Sequence, residues 1–314
     1  MWRLRGLHNL RPFEQGCVLT IGNFDGVHLG HQAILNRLNE IAAQRHLPAL
    51  AMVFEPQPKE FFAGADAPAR LTSLAEKLSL LQRYGVQQVA CMAFNQRLRQ
   101  LSAAEFVEHV LVRGLNCKAL IVGDDFRFGC DRSGDFAFLK AAGESYGFSV
   151  EDTCTVQAGS ERISSTRVRA ELEAAHFDHA AGLLGRPYSI SGKVAHGQKL
   201  GRTLGVPTAN VLLKRNKVPF TGVYAVEVDI NGSLHQGVAN IGMRPTVNGT
   251  KAVLESHIFA FNGDLYGKRI SVIFRKKIRE EQKFNGLDAL KAAIENDIKI
   301  SKAFFGTNGS DQPL

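Results

Sequence analysis

The chain has 314 residues, of which 45% are hydrophobic and 22% charged, and it carries a formal net charge of +8. Such a length exceeds one ordinary core and suits two domains, and the composition excludes disorder as the default state. The positive balance fits anionic partners, either nucleic acid or small phosphorylated molecules, and by itself does not choose between them.

Met1 to Pro12 alternates Arg with Leu and offers neither an apolar core segment nor a small-residue cleavage site, so no secretory signal is expected. From there the first half alternates apolar runs with helical stretches. Val18 to Ile21 reads as a buried strand, followed by a helix from about Gly30 to Arg45. Ala49 to Phe54 is the next strand, Leu71 to Tyr84 the next helix, and Val86 to Ala93 the strand after it. A helix from Ala103 to Arg113 and a strand from Lys118 to Val122 continue the rhythm. Strands alternating with helices imply right-handed βαβ units and a parallel sheet, with ligands outside the carboxyl ends of the strands. No apolar run is long enough to span a bilayer. Five scattered cysteines without a CxxC pair argue against a disulfide framework or structural zinc, and fit reduced thiols in the cytoplasm.

After Leu184-Gly-Arg-Pro187 the character changes to alternating runs such as Val223 to Ile230 and Ile270 to Phe274, with Asn-Gly pairs at Asn231, Asn248 and Asn262. That pattern predicts tight hairpins in an antiparallel barrel. One amphipathic helix, about Leu287 to Phe305, closes it, and residues 307–314 read as a frayed tail. The expected division is therefore 1–184, 185–306 and the tail. The basic run Arg275 to Arg279 falls in a strand-like segment, either a solvated face or an anion-binding patch.

The densest signal in the first half is Gly22-Asn-Phe-Asp-Gly-Val-His-Leu-Gly-His31: a buried strand, a glycine-containing turn and a helix start bearing two histidines. Gly26 and Gly30 allow close backbone approach, and exposed N–H groups at a helix start favour phosphate. His28 and His31, three residues apart, are expected on one helix face, where both imidazoles can donate to charge building on departing pyrophosphate. A zinc site would need a third ligand, and no HExxH or cysteine partner accompanies them.

This segment resembles the signature of the bacterial bifunctional riboflavin kinase/FAD synthetase family, whose FMN adenylyltransferase module belongs to the HxGH nucleotidyltransferases. Phe54-Glu-Pro-Gln-Pro58, Val122-Gly-Asp-Asp-Phe-Arg-Phe-Gly129 and Ile163-Ser-Ser-Thr-Arg-Val-Arg169 resemble further family segments, in the same order. The resemblance implies His28 and His31 as catalytic, and ATP contacts from Gly22, Phe24, Asp25, Gly30, Asp125, Arg162, Ser164, Ser165, Thr166 and Arg169. It implies flavin contacts from Pro56, Pro58, Phe126 and Phe128. On the residues alone, Asp125 binds a ribose hydroxyl or caps a turn, and Ser164 to Thr166 cap a helix, bind phosphate, or both.

In the second half, His196 to Asn210 is punctuated by Gly197, Gly201 and Gly205 before Pro207 fixes a turn. Glycine spacing alone favours an ordinary barrel loop, and no Walker A or protein-kinase motif is present. Gly205-Val-Pro-Thr-Ala-Asn210 is similar to the riboflavin kinase signature, and Gly222-Val-Tyr224, Asn240 to Thr246, Glu255-Ser-His257 and Asp264 to Gly267 fit the same family. The resemblance implies phosphate contacts from Gly197, Lys199, Gly201, Gly205, Pro207, Thr208 and Asn210. Thr208 and Asn210 would also hold Mg²⁺ (or Mn²⁺), and Glu255 would be the general base. Arg279 borders the flavin or belongs to a solvated basic face.

The fold class expected is α/β plus β: a Rossmann-like nucleotidyltransferase domain with a parallel sheet, then an antiparallel six-stranded β-barrel with a closing helix. The resemblance implies ATP, riboflavin, FMN and FAD as substrates and products, with neither nucleic acid nor membrane as partner. Two other readings stand beside it. One is an HxGH enzyme acting on a different phosphorylated alcohol. The other is a non-catalytic basic protein binding flavin or RNA.

Overall fold

Side chains alternate between the two faces of a strand, so a sheet covered on both sides needs apolar residues at every position. Cys17–Ile21 (β2) shows this in the computed structural model: Cys17, Leu19 and Ile21 enter one core and Val18 the other. The structure describes residues 2–123, 125–153, 156–159, 161–196, 205–215, 217–246 and 249–308. Gly197, Lys199, Gly201, Asn248, Cys154 and the tail beyond Asn308 lie outside them. The chain divides into two compact units, Met1–Pro68 with Leu74–Ser164, and Ala69–Ser73 with Ser165–Leu314.

The first unit is a parallel sheet of β1 (Trp2–Arg5), β2, β3 (Ala49–Glu55), β4 (Gln88–Ala93), β5 (Cys117–Gly123) and β6 (Ser149–Thr153), in the order β1-β4-β3-β2-β5-β6. Helices α1 (Leu29–Arg45) and α3 (Leu74–Arg83) cover one face, through Leu35, Leu38, Leu78 and Leu81. The other face carries α5 (Ala103–Glu105, continuing as a π-helix over Phe106–Val112) and α6 (Phe136–Tyr146). The short helices α2 (Pro58–Ala63) and α4 (Gln96–Arg99) sit in the connections. A two-stranded ribbon, β7 (Gln157–Ala158) with β8 (Glu161–Arg162), completes the unit. The order in which strands are added reverses between β2 and β5, the switch point at which open α/β sheets form ligand crevices.

One element was not expected and one expectation needs correction. The Arg-Leu alternation at the start forms the edge strand β1, paired in parallel with β4. The helix expected over Ala103 to Arg113 is α-helical only to Glu105; an i to i+5 bond from the Arg113 N–H to the Glu108 carbonyl marks the wider turns that follow. Those turns place Phe106, Val107, Val110 and Leu111 together on the buried face.

The second unit begins with α7 (Ser165–Glu173) and α8 (Phe177–Leu184). Six strands then close a barrel: β9 (Ser189–Ala195), β10 (Ala209–Val211), β11 (Gly222–Ile230), β12 (Ser233–Thr246), β13 (Gly249–Ile258) and β14 (Arg269–Arg279). Phe177, Tyr188, Phe220, Tyr224 and Phe274 form its aromatic core, with Phe220 and Phe274 centroids 4.9 Å apart. Asn231 (φ 56°) and Gly232 (φ 91°) make the two-residue hairpin expected there. Asn262 does not: a longer loop joins β13 to β14, and its left-handed non-glycine residue is Ala260. Helix α9 (Leu287–Asn308) extends past Phe305 into the stretch expected to fray, and Ser301 anchors it by donating to the Gly237 carbonyl at 2.9 Å. The basic run is paired within the barrel: Arg275 meets Glu227 at 2.6 Å, Lys277 meets Glu280, and Arg279 meets Asp297.

Candidate active sites, one in each unit

In the first unit the chain leaves buried β2 through a turn in which Phe24 (φ 46°), Gly26 (φ 82°) and Val27 (φ 43°) are all left-handed. Left-handed Phe and Val cost energy, and their complete burial offsets it. The Phe24 ring thus belongs to the core, where it lies 5.1 Å from His31. His28 is the residue before α1 rather than part of it, so the two histidines do not share a helix face. Instead the His28 Nδ1 accepts from the His31 N–H at 3.3 Å, and the two rings stack with centroids 3.7 Å apart. That bond makes Nδ1 the acceptor and leaves the His28 proton on Nε2. Gly30 is required by close approach, because a Cβ there would stand 3.2 Å from the His28 ring.

His31 Nδ1 is shielded from solvent and has no hydrogen-bond partner among the described residues. Burial, followed by the neighbouring His28, Lys77 and Arg162, holds the His31 pKa well below the ordinary imidazole value, so the ring is neutral at pH 7. Asp25 is buried in the same turn. Arg162 meets Asp125 at 3.1 Å, tying the Gly123 to Gly129 loop after β5 to the ribbon. A neutral imidazole and the cations Lys77 and Arg162 thereby stand beside the loops that follow the switch-point strands, as anion binding requires.

Pro58 opens α2 behind the capping residue Gln57, and Pro56 is exposed beside it. Around this turn Phe54, Phe61, Phe62 and Phe94 pack edge to face, 5.4–5.8 Å apart, with Arg99 over the exposed Phe62. Phe126 stacks on Phe128 at 5.6 Å; Phe128 is buried against Phe106 and Phe138, while Phe126 is half-buried. Ser164 immediately precedes α7, which belongs to the second unit, as do Ser165, Thr166 and Arg169. Arg169 Nε donates to the Ala69 carbonyl at 2.6 Å, a structural contact that the sequence did not reveal.

In the second unit, Asn210 on β10, Glu255 on β13 and Asn240 on β12 are direct cross-strand partners, and so share one face of the barrel wall. They line a cavity with Thr208, Arg244, His257 and Arg279, walled on its apolar side by Val223, Val238, Phe284, Leu290 and Ile294. Glu255 Oε2 accepts from Arg244 Nη2 at 2.8 Å, and among the described residues its Oε1 makes no hydrogen bond. His257 Nδ1 donates to the Pro207 carbonyl at 2.8 Å, fixing the turn that carries Thr208. Arg279 is clamped by Asp297 of α9 through Nε and Nη2, at 2.9 and 2.8 Å, and stacks over Phe284. Glu281 packs against Gly242 in the space a Cβ would fill. Thr208 and Pro207 also border a second cavity, with Phe261, Asp264 and Tyr266. Gly205, left-handed at φ 77°, lies at the exposed start of the same segment.

Residues 10–167 match the family model described as FAD synthetase, and residues 184–305 match the one described as riboflavin kinase. A bifunctional riboflavin kinase/FMN adenylyltransferase of Pseudomonas fluorescens is 59% identical over 304 residues, covering 96% of this chain and 97% of that protein. The chain belongs to the bifunctional riboflavin kinase/FMN adenylyltransferase family. The protein of that name from Escherichia coli K12 is 52% identical over 96% of this chain and 97% of its own length. A solved structure titled macrolide-efflux protein, from Streptococcus pneumoniae, shares the fold with a TM-score of 0.79 and 30% identity, over 96% of this chain and 99% of that one. Among the described residues no helix is long and apolar enough to cross a membrane. Both family halves fall on the sites built above, the first on the HxGH turn and the second on the barrel cavity.

Several residues of these sites were not singled out from the sequence. Lys77 left a trace, since it interrupts the apolar stripe Leu74, Leu78, Leu81 of α3, where a lysine is out of place. Asn240, Arg244 and His257 lay inside motifs that fit the family, but nothing in their spacing gave them a role. Asp297 and the Phe61, Phe62 and Phe94 cluster left no such signal.

Proposed function

We infer that the chain makes FAD from riboflavin in two ATP-dependent steps: the barrel phosphorylates riboflavin to FMN, and the HxGH unit adenylylates FMN, releasing pyrophosphate. The observation that carries the reading is the pairing of two unlike sites in one chain. One is a stacked imidazole pair, with His31 neutral, beside Lys77 and Arg162, and the other a carboxylate held by Arg244 in an oxygen-lined cavity with an apolar wall. The functional boundary lies at residues 184 and 185, and the reduced cysteines Cys17, Cys91, Cys117 and Cys130 support a cytoplasmic location.

In the HxGH unit the FMN phosphate attacks the α-phosphorus of ATP and the bond to the pyrophosphate oxygen breaks. The nucleophile is already anionic, so alignment and charge stabilisation carry the step. His28 donates from Nε2, and His31, neutral in the free protein, donates to the pyrophosphate oxygens, while Lys77 and Arg162 offset their charge. Gly22, Asp25, Gly30 and Asp125 line the ATP side, and Phe24 acts through the ring it sets against His31. Ser164, Ser165, Thr166 and Arg169 supply further phosphate contacts. The flavin lies on the aromatic surface around Pro56 and Pro58, with Phe126 exposed enough to touch it and Phe128 holding Phe126 from below.

In the barrel, Glu255 takes the proton of the riboflavin 5′-hydroxyl as that oxygen attacks the γ-phosphorus, and ADP leaves. Arg244 holds one carboxylate oxygen, so the other is available to the hydroxyl. Arg279, fixed by Asp297, borders the flavin at the apolar wall. Thr208 and Asn210 offer hydroxyl and amide oxygens, and the buried Asn240 Oδ1 beside them has no partner among the described residues. That hard-oxygen set fits Mg²⁺, or Mn²⁺, better than a soft cation. Thr208 and Asn210 would hold the ion, which would supply charge neutralisation at the phosphates.

Riboflavin, ATP and Mg²⁺ incubated with the whole chain and followed by chromatography test the reading. FMN appearing before FAD, with ADP and pyrophosphate as by-products, is expected. Adenylylation of a phosphorylated alcohol other than FMN, with riboflavin untouched, would overturn it.

A further inference from the structure

Glu171, His176 and His179 lie outside both sites, where α7 passes into α8. Helix α7 ends in a left-handed turn at Ala175 (φ 58°). The Ala175 N–H donates to the Leu172 carbonyl at 3.0 Å, and the His176 N–H reaches back to the Glu171 carbonyl at 2.8 Å. This helix-terminating pattern fixes the backbone of His176 beside Glu171. His179 lies in the first turn of α8, with its ring centroid 5.5 Å from that of His176. The result is convergence on one atom: Glu171 Oε2 is 3.1 Å from His176 Nδ1 and 3.4 Å from His179 Nδ1.

Two imidazoles and a carboxylate are the ligand set of three-residue zinc sites, whose fourth position is left to water. With metal–ligand bonds of about 2.0–2.1 Å, ligand atoms of a tetrahedron stand about 3.3 Å apart. The two Glu171–His distances match that edge. The third pair of ligand atoms lies within 4.8 Å, and His179, whose side chain is 74% exposed, can turn to shorten it. We propose that Glu171, His176 and His179 bind a zinc ion that clasps α7 to α8. The site differs in kind from the barrel cavity, where hydroxyl and amide oxygens suit a hard cation and no imidazole pair converges. A borderline metal bound by nitrogen and oxygen discriminates between the two.

The test uses the full chain, stripped of metal by a chelator, without nucleotide, titrated calorimetrically with Zn²⁺ and separately with Mg²⁺. One equivalent of Zn²⁺ is expected to bind and to raise the melting temperature, because only the folded state presents all three ligands. Loss of a residue that merely supports a metal ligand weakens binding by about 10–100-fold. His179→Ala and Glu171→Gln remove ligands, so each is expected to weaken Zn²⁺ by at least about tenfold and to abolish the melting shift. FMN formation at the wild-type rate verifies that each variant is folded. Absence of Zn²⁺ binding, or identical Zn²⁺ isotherms in wild type and both variants, would overturn the proposal. Mg²⁺ binding that Glu171→Gln removes as completely as it removes Zn²⁺ would overturn the choice of metal.

Discussion

Glu255→Gln separates catalysis from stability in the barrel. The substitution keeps the side-chain volume, removes the proposed proton acceptor and breaks the ion pair with Arg244. Arg244 is 48% exposed and Glu255 23%, so solvent screens the pair; such pairs contribute roughly 0–1 kcal/mol. For a unit of this size that corresponds to a melting shift of at most about 2–4 °C. Loss of a general base, by contrast, typically costs about 10²–10⁴-fold in rate, equivalent to about 2.7–5.4 kcal/mol of barrier. The kinase rate should therefore collapse in a protein of nearly normal stability. Discontinuous assays by chromatography, one starting from riboflavin and one from supplied FMN, read the two activities of the same sample. A kinase rate within about tenfold of wild type would remove Glu255 as base. Parallel loss of FMN adenylylation would show that the substitution acts through the fold.

The first unit yields three further outcomes. His28→Ala with His31→Ala should abolish FAD formation while FMN continues to accumulate from riboflavin; disappearance of both products from a folded variant would contradict separate sites. Lys77→Met keeps the buried stem and removes a cation, so KM for ATP in the adenylyl step should rise with the kinase unaffected; an unchanged KM would detach Lys77 from the site. Because the folded His31 pKa lies below its unfolded value, the unfolded chain binds the proton first as pH falls. His31 therefore leaves stability intact above about pH 6.5 and lowers it below, by at most about 1.4 kcal/mol per pH unit until the folded ring titrates. Denaturant unfolding of wild type and His31→Gln between pH 7 and 5 should show the steeper loss in wild type, and parallel curves would count against the buried neutral ring.

The architecture was legible where the local pattern sufficed. Val18 to Ile21 and Ala49 to Phe54 are buried on both faces, so they read as continuous apolar runs, and the change after Pro187 marked the turn to alternating barrel strands. The edge strand β1 escaped because Arg-Leu alternation over four residues carries little signal without its partner β4. Strand order was equally invisible: it places the loops after β2 and β5 at one switch point, and it depends on pairings between residues about a hundred positions apart. In the barrel the motif residues Thr208, Asn210 and Glu255 were readable, whereas Asn240 joins their row only through the register of β12 on β13. The fixed tautomers of His28 and His257 required the backbone partners His31 and Pro207, which no spacing rule supplies.

The difference between the two sites follows from the state of each nucleophile. Riboflavin offers a neutral hydroxyl, which must lose a proton as it attacks, and the barrel cavity is lined by a carboxylate, Glu255, whose Oε1 is unengaged among the described residues. FMN offers a phosphate that is already ionised, so the HxGH turn needs no base: His28 Nδ1 is occupied by the His31 N–H, and His31, neutral in the free protein, keeps one ring N–H to donate. Its requirement is the opposite one, donors and cations to hold two polyanions together while pyrophosphate departs. A neutral imidazole serves that purpose well, because incoming phosphate charge raises its pKa and strengthens the hydrogen bond it donates as the reaction proceeds. The product of the carboxylate site is thus a substrate for which the imidazole site needs no base, and this links the two activities chemically, whether or not FMN leaves the protein between steps.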